Sequence, residues 1–214
     1  MMAYLFTKND ANYTEKNALY LQKTIQWLKA SLSYPFWGST PAQNNDLACA
    51  HQLFAVAMAY CWLKDELANE RCDHTMGTDN DLWDVTTDNV PILEAIEKRM
   101  WQAGSDLYKG SINYKVYVMN HLNIRMAGMM AAAVALQSDS NTPTQKDTLV
   151  KWIGMGLYKD GYGMNALMPD GTSQEGLPYW EYGTTWVFKG AYVAKTALGI
   201  DLIDMTNVYS QSAD

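Results

Sequence analysis

The sequence is short of positive charge. Lys and Arg number 16 against 23 Asp and Glu, so the net charge is −7, and there is no basic run. That balance argues against a general nucleic-acid binder, which needs a basic stripe facing the phosphates. Long apolar runs are also missing. The longest near-apolar stretch, residues 126–136, is about half the ~20 residues that a membrane span needs. Cysteine is scarce: Cys49, Cys61 and Cys72 form an odd set without a CxxC pair. A disulfide scaffold and a Cys-rich zinc site are therefore disfavoured, and the three read as small buried hydrophobes. The first residues have neither a basic n-region nor a small-residue cleavage site, so no signal peptide is expected in this stretch. Strand-like alternation is rare. Phenylalanine is rare too, with four residues against eight Trp and 14 Tyr. Rings with a polar edge suit an amphipathic cleft, including one that stacks on sugars.

What the chain does have is helical periodicity. Its 214 residues suit about one domain, at ~150 residues each. Leu21, Ile25, Leu28 and Leu32 mark the apolar stripe of a helix over 14–32, stopped by Pro35. Asn45 or Asp46 is placed to cap a second helix, 47–63, rich in alanine. Residues 65–88 are polar and read as a short helix and then a loop. Further helices are expected over 90–107, 116–136, 144–158 and 179–198, with Gly199 as the stop of the last. Residues 201–214 read as a polar tail. Helices two, four and six of this set are rich in small and apolar residues, and each follows a loop of aromatic and polar residues. The other three are amphipathic and charged. Alternating inner and outer antiparallel helices would give this pattern. The inner three would then be parallel, with their N-termini and decorated loops at one end. Free N–H groups and the helix dipole there suit a carboxylate.

Two segments carry the chemistry. One is Asn120-His121-Leu122-Asn123-Ile124-Arg125, at the expected start of an inner helix. The other runs from Asp170-Gly171 through Glu175-Gly176 to Tyr179-Trp180-Glu181-Tyr182-Gly183. In residue type, order and spacing this pair resembles the heparinase II/III-like polysaccharide lyases and the related alginate lyases. Ala57-Met58-Ala59-Tyr60-Cys61-Trp62-Leu63 is similar to an Ala-Tyr-Asp-Trp-Leu motif of that family, with Cys61 where Asp is usual. The resemblance extends over about residues 2–200.

The resemblance implies an all-α fold, an (α/α) toroid of antiparallel helix hairpins. About six long helices over 1–200 would make it an incomplete one. The β-sandwich domain that normally follows is not matched by any position here, which suggests a fragment or a truncated lyase. It further implies β-elimination on an acidic polysaccharide built of uronic acids, without metal or other cofactor, in a periplasmic or extracellular setting. That chemistry needs a neutralised C6 carboxylate, a base for the C5 proton and an acid for the leaving glycosidic oxygen. By resemblance Asn120 would hydrogen-bond the carboxylate. His121 would assist it or act as base, and Tyr179 would be the general acid and also a base. A phenol with pKa near 10 needs help to act as a base at neutral pH. Arg125 lies four residues after His121, on the same helix face, and would supply positive charge. Trp180, Tyr182 and Trp37 are candidate sugar platforms, and Glu175 a further substrate contact. A homodimer could cover the helix faces left open by an incomplete ring.

Each assignment has a plainer counterpart. Asn120 fits a helix cap, Glu175 a helix-start carboxylate, Arg125 a salt bridge, and His51 a core histidine on the second inner helix. His74 and the nearby aspartates lack the spacing of a metal site. Two functional alternatives follow. One is a non-catalytic glycan-binding or scaffold toroid. The other is a hydrolase using Asp170 with Glu175 or Glu181, which their closeness on one segment disfavours.

Overall fold

The computed structural model describes residues 1–38, 40, 45–76, 83–112, 120–157 and 176–202, with the backbone alone for 73–76 and 83–88. Helices dominate it. A short α1 (Met2–Thr7) leads through a 3₁₀ turn to α2 (Thr14–Ser33). Thr24, Leu28, Ser31 and Leu32 on one face of α2 are buried. Tyr34 leaves the helix in extended conformation because Pro35 follows it. The alanine-rich segment forms α3 (Leu47–Trp62), and a single turn, α4 (Lys64–Leu67), follows. The later helices are α5 (Ile92–Ile112), α6 (Asn120–Ala135), α7 (Pro143–Leu157) and α8 (Leu177–Leu198). Gly199, at φ 71°, closes α8 in the left-handed conformation expected of it.

Of the three small-residue helices, α3 and α6 are inner, whereas α8 packs on α6 and leaves Leu177, Tyr179, Phe188 and Tyr192 exposed. α6 is buried along nearly its whole length. It packs between α3 and α8, its two most extensive neighbours. Asp46 at the head of α3 meets His121 and Arg125 in the first turns of α6. One turn on, a Cβ at Gly128 would lie 2.7 Å from the Ala50 carbonyl oxygen. Both contacts advance together, so α3 and α6 run parallel. α3 and α8 do too, since His51 meets Tyr182 and Trp186, and Phe54 meets Trp186. α5 and α7 also pack on α6 and touch each other. There Gly104 on α5 receives the fully buried Trp152 ring of α7, 2.4 Å from where a Cβ would stand.

Two expectations are corrected. The polar segment after α4 is not simply a loop. It contains an antiparallel hairpin of β1 (Arg71–Met76) and β2 (Trp83–Pro91), with a register shift between Cys72 and His74. The aspartates there suggested a solvated loop. The β-branched Val85, Thr86, Thr87 and Val90 are what a pleated strand accommodates. Cys61, expected inside, is exposed, whereas Cys49 and Cys72 are buried. Among the described residues no helix is long and apolar enough to cross a membrane.

Candidate functional site

The site begins with the ends of α3, α6 and α8. Asp46 is the residue before α3, yet its side chain makes no capping bond. Its Oδ1 instead accepts from Nδ1 of His121 at 3.0 Å and from Nη2 of Arg125 at 3.1 Å. Burial works to raise the Asp46 pKa, but the charges and hydrogen bonds of Arg125 and His121 outweigh it and hold the carboxyl below its ordinary value. Asp46 is thus an anion at neutral pH. An anion only accepts, so Nδ1 of His121 carries a proton and donates to it. The His121 side chain is 28% exposed, enough for a ligand to reach it. Arg125 is buried beneath it.

A second pair lies between α3 and α8. His51 places Nδ1 2.7 Å from the Leu47 carbonyl oxygen. Its Nε2 is 2.7 Å from the Tyr182 hydroxyl. The carbonyl fixes the proton on Nδ1, so the phenol donates to Nε2. Trp186 meets His51 edge-on with centroids 4.6 Å apart, and Phe54 meets Trp186 at 5.2 Å. The Lys189 ammonium lies 3.8 Å from the Trp186 centroid. Burial lowers the Lys189 pKa and raises that of the Tyr182 phenol.

Of the residues expected at the site, Asn120 is in the first turn of α6 but buried. Gly183 of α8 presses close beside it: a Cβ there would lie 3.4 Å from the Asn120 Cβ and 3.2 Å from Nδ2 of Asn123. Tyr179 and Trp180 are in the first turn of α8 and open to solvent, Tyr179 by 55%. Tyr182 carries a hydrogen bond to His51 where a sugar platform was expected. Glu175 lies outside the described residues, as do Asp170 and Gly171.

Trp37 requires a correction. It is buried, and its indole N–H donates to the Ser31 carbonyl oxygen at 2.9 Å. The Arg99 guanidinium stands 4.9 Å from its ring centroid. Arg99 also donates to the Tyr34 and Pro35 carbonyl oxygens, which ties this loop to α5. The ring is therefore a packing element and unavailable to a sugar.

Sequence reading missed two partners. Asp46 suggested a cap, and no local signal links it to a histidine 75 positions away. His51 reads from the sequence as a core or cavity-facing histidine, and its phenol partner is 131 positions away. Comparison with family models, with curated proteins and with solved structures finds no match.

Proposed function

We propose that this chain is the helical part of a polysaccharide lyase that cleaves a uronate polymer by β-elimination, built as an incomplete (α/α) toroid. The observation that carries the reading is the Asp46–His121 pair, whose imidazole is held at Nδ1 and partly exposed near the N-terminal ends of α3, α6 and α8. Two motif-bearing helix starts are among these ends, and Tyr179 stands exposed at one of them.

His121, with Nδ1–H held by Asp46, accepts a proton at Nε2 when neutral. When protonated it donates from Nε2 to the C6 carboxylate. Arg125 adds fixed positive charge from below, already partly balanced by Asp46. The exposed Tyr179 phenol protonates the leaving glycosidic oxygen and is itself reprotonated by solvent. Trp180 offers a sugar-facing ring. The products are a new reducing end and a C4–C5 double bond on the other fragment. A periplasmic or extracellular setting follows from the polymer.

One observation favours a non-catalytic glycan-binding module instead. Asn120 is buried and Arg125 is engaged by Asp46, so neither is presented to a ligand as the chemistry would want. A single experiment separates the two. The protein is mixed with alginate, heparin-type, chondroitin and hyaluronan polymers, and the ultraviolet absorbance of the new double bond is followed. The lyase reading expects a rise with at least one polymer. It also expects a loss of roughly 10²–10⁴-fold in Tyr179→Phe, the usual contribution of a general acid. No rise with any polymer refutes it, and binding without turnover supports the module.

A further inference from the structure

A tyrosine acting as base faces an energetic obstacle. A free phenol near pKa 10 is almost wholly protonated at neutral pH. Burial of Tyr182 makes its ionisation harder still. Yet Tyr182 is the phenol in this cluster with a proton acceptor built against it. Its hydroxyl is 2.7 Å from Nε2 of His51. The His51 ring is fixed on its other side, with Nδ1 2.7 Å from the Leu47 carbonyl oxygen. The edge contact with Trp186 fixes it from the side. Both His51 and Tyr182 are half-buried and thus still reached by solvent.

We propose that Tyr182 and His51 form a proton relay in which Tyr182 is the base that removes the C5 proton and His51 is its positioning partner and proton store. The assignment rests on the lyase reading and deepens it.

The step balances. The C5–H bond breaks and its proton goes to the phenolic oxygen of Tyr182. The proton already on that oxygen moves to Nε2 of His51, giving an imidazolium. The electron pair left at C5 forms the C4–C5 double bond, and the C4–O bond breaks. The leaving oxygen takes the proton of Tyr179. His51 then releases its extra proton to water, and Tyr179 regains one from water. Tyr182 never has to exist as a free phenolate before substrate arrives. His121 is then released from the base role and serves the carboxylate.

The surroundings bear on the pH dependence. On α8 the charged neighbour is Lys189, across the Trp186 ring. At the head of α3 stands Asp46, and on α6 stand His121 and Arg125, both tied to Asp46. Lys189 disfavours a second positive charge on His51, and the anionic Asp46 favours it. His121, when protonated, acts in the same sense as Lys189.

The test measures kcat/KM against pH for wild type, Tyr182→Phe, His51→Ala and Tyr179→Phe, on whichever uronate polymer the wild type cleaves. Circular dichroism checks that each variant is folded. In wild type the relay expects kcat/KM to fall on the acid side, because His51 must be unprotonated at Nε2 to accept the proton. Tyr182→Phe should lose about 10²–10⁴-fold at every pH. His51→Ala should lose a comparable factor at pH 7. It should recover only as the pH rises beyond 10, toward the raised pKa of the Tyr182 phenol, and should be rescued by added imidazole. Tyr182→Phe within tenfold of wild type overturns the relay. So does a His51→Ala loss that is uniform in pH and insensitive to imidazole. A wild type inactive on every polymer overturns the lyase reading and the relay with it.

Discussion

Asp46 shows how much one residue's surroundings decide. Its carboxylate gathers an imidazole and a buried guanidinium on a single oxygen. Removing its charge by Asp46→Asn leaves Arg125 buried with a weaker acceptor. Loss of one partner of a wholly buried pair costs 3–5 kcal/mol. Asp46 is 42% exposed, so solvent screens the pair and about 1–2 kcal/mol is expected, read from urea unfolding at pH 7. The sign of the pH effect follows from the lowered folded-state pKa. The contribution is fully present above the ordinary value of 3.8 and is lost as pH falls through the lower folded value. The stability gap between wild type and Asp46→Asn should therefore close as the pH drops below about 4. A gap that persists at pH 2 would show that Asp46 acts through something other than its charge.

At the scale of elements, the crossing of α3 and α6 depends on small residues. Gly128 leaves room for the Ala50 carbonyl, and a methyl group there would meet backbone at 2.7 Å. Backbone cannot step aside as a flexible side chain can. Gly128→Ala should cost at least the usual 1–3 kcal/mol of overpacking, as a fall in melting temperature. It should also disturb the Asp46–His121 pair, which sits about one turn away on α3 and two on α6. The comparison is Gly154→Ala on α7, where nothing lies within 4 Å of an added Cβ, and little change is expected. Equal losses in both would mean that helix approach is not what Gly128 secures.

For the whole molecule, the net charge of −7 would oppose the polyanionic substrate of the proposed lyase at long range, while Arg125 and Lys189 would attract it at close range. Screening falls off over about 10 Å at 0.1 M salt, so added salt weakens the repulsion first. Turnover of a uronate polymer should accordingly hold steady or rise between 10 and 150 mM NaCl, measured as kcat/KM. A steep fall would mean that a basic track governs binding.

Much of the architecture was legible because helical periodicity is local. The stripe Leu21–Ile25–Leu28–Leu32, the stop at Pro35 and the closing Gly199 each act within a few residues, so α2 and α8 end where those residues direct. The alanine and methionine content of α3 and α6 likewise marked them as inner helices, because close packing needs small side chains. The hairpin after α4 escaped notice because strand pairing is a contact between segments, and its aspartates masked the β-branched residues. The partners within the site were settled by packing alone. Whether Asp46 caps a helix or binds His121, whether Trp37 faces solvent or Arg99, and which nitrogen of His51 meets Tyr182 depend on how parallel helices from distant parts of the chain come together. No short-range rule encodes those distances, since desolvation and pairing exist only once α3, α6 and α8 lie side by side.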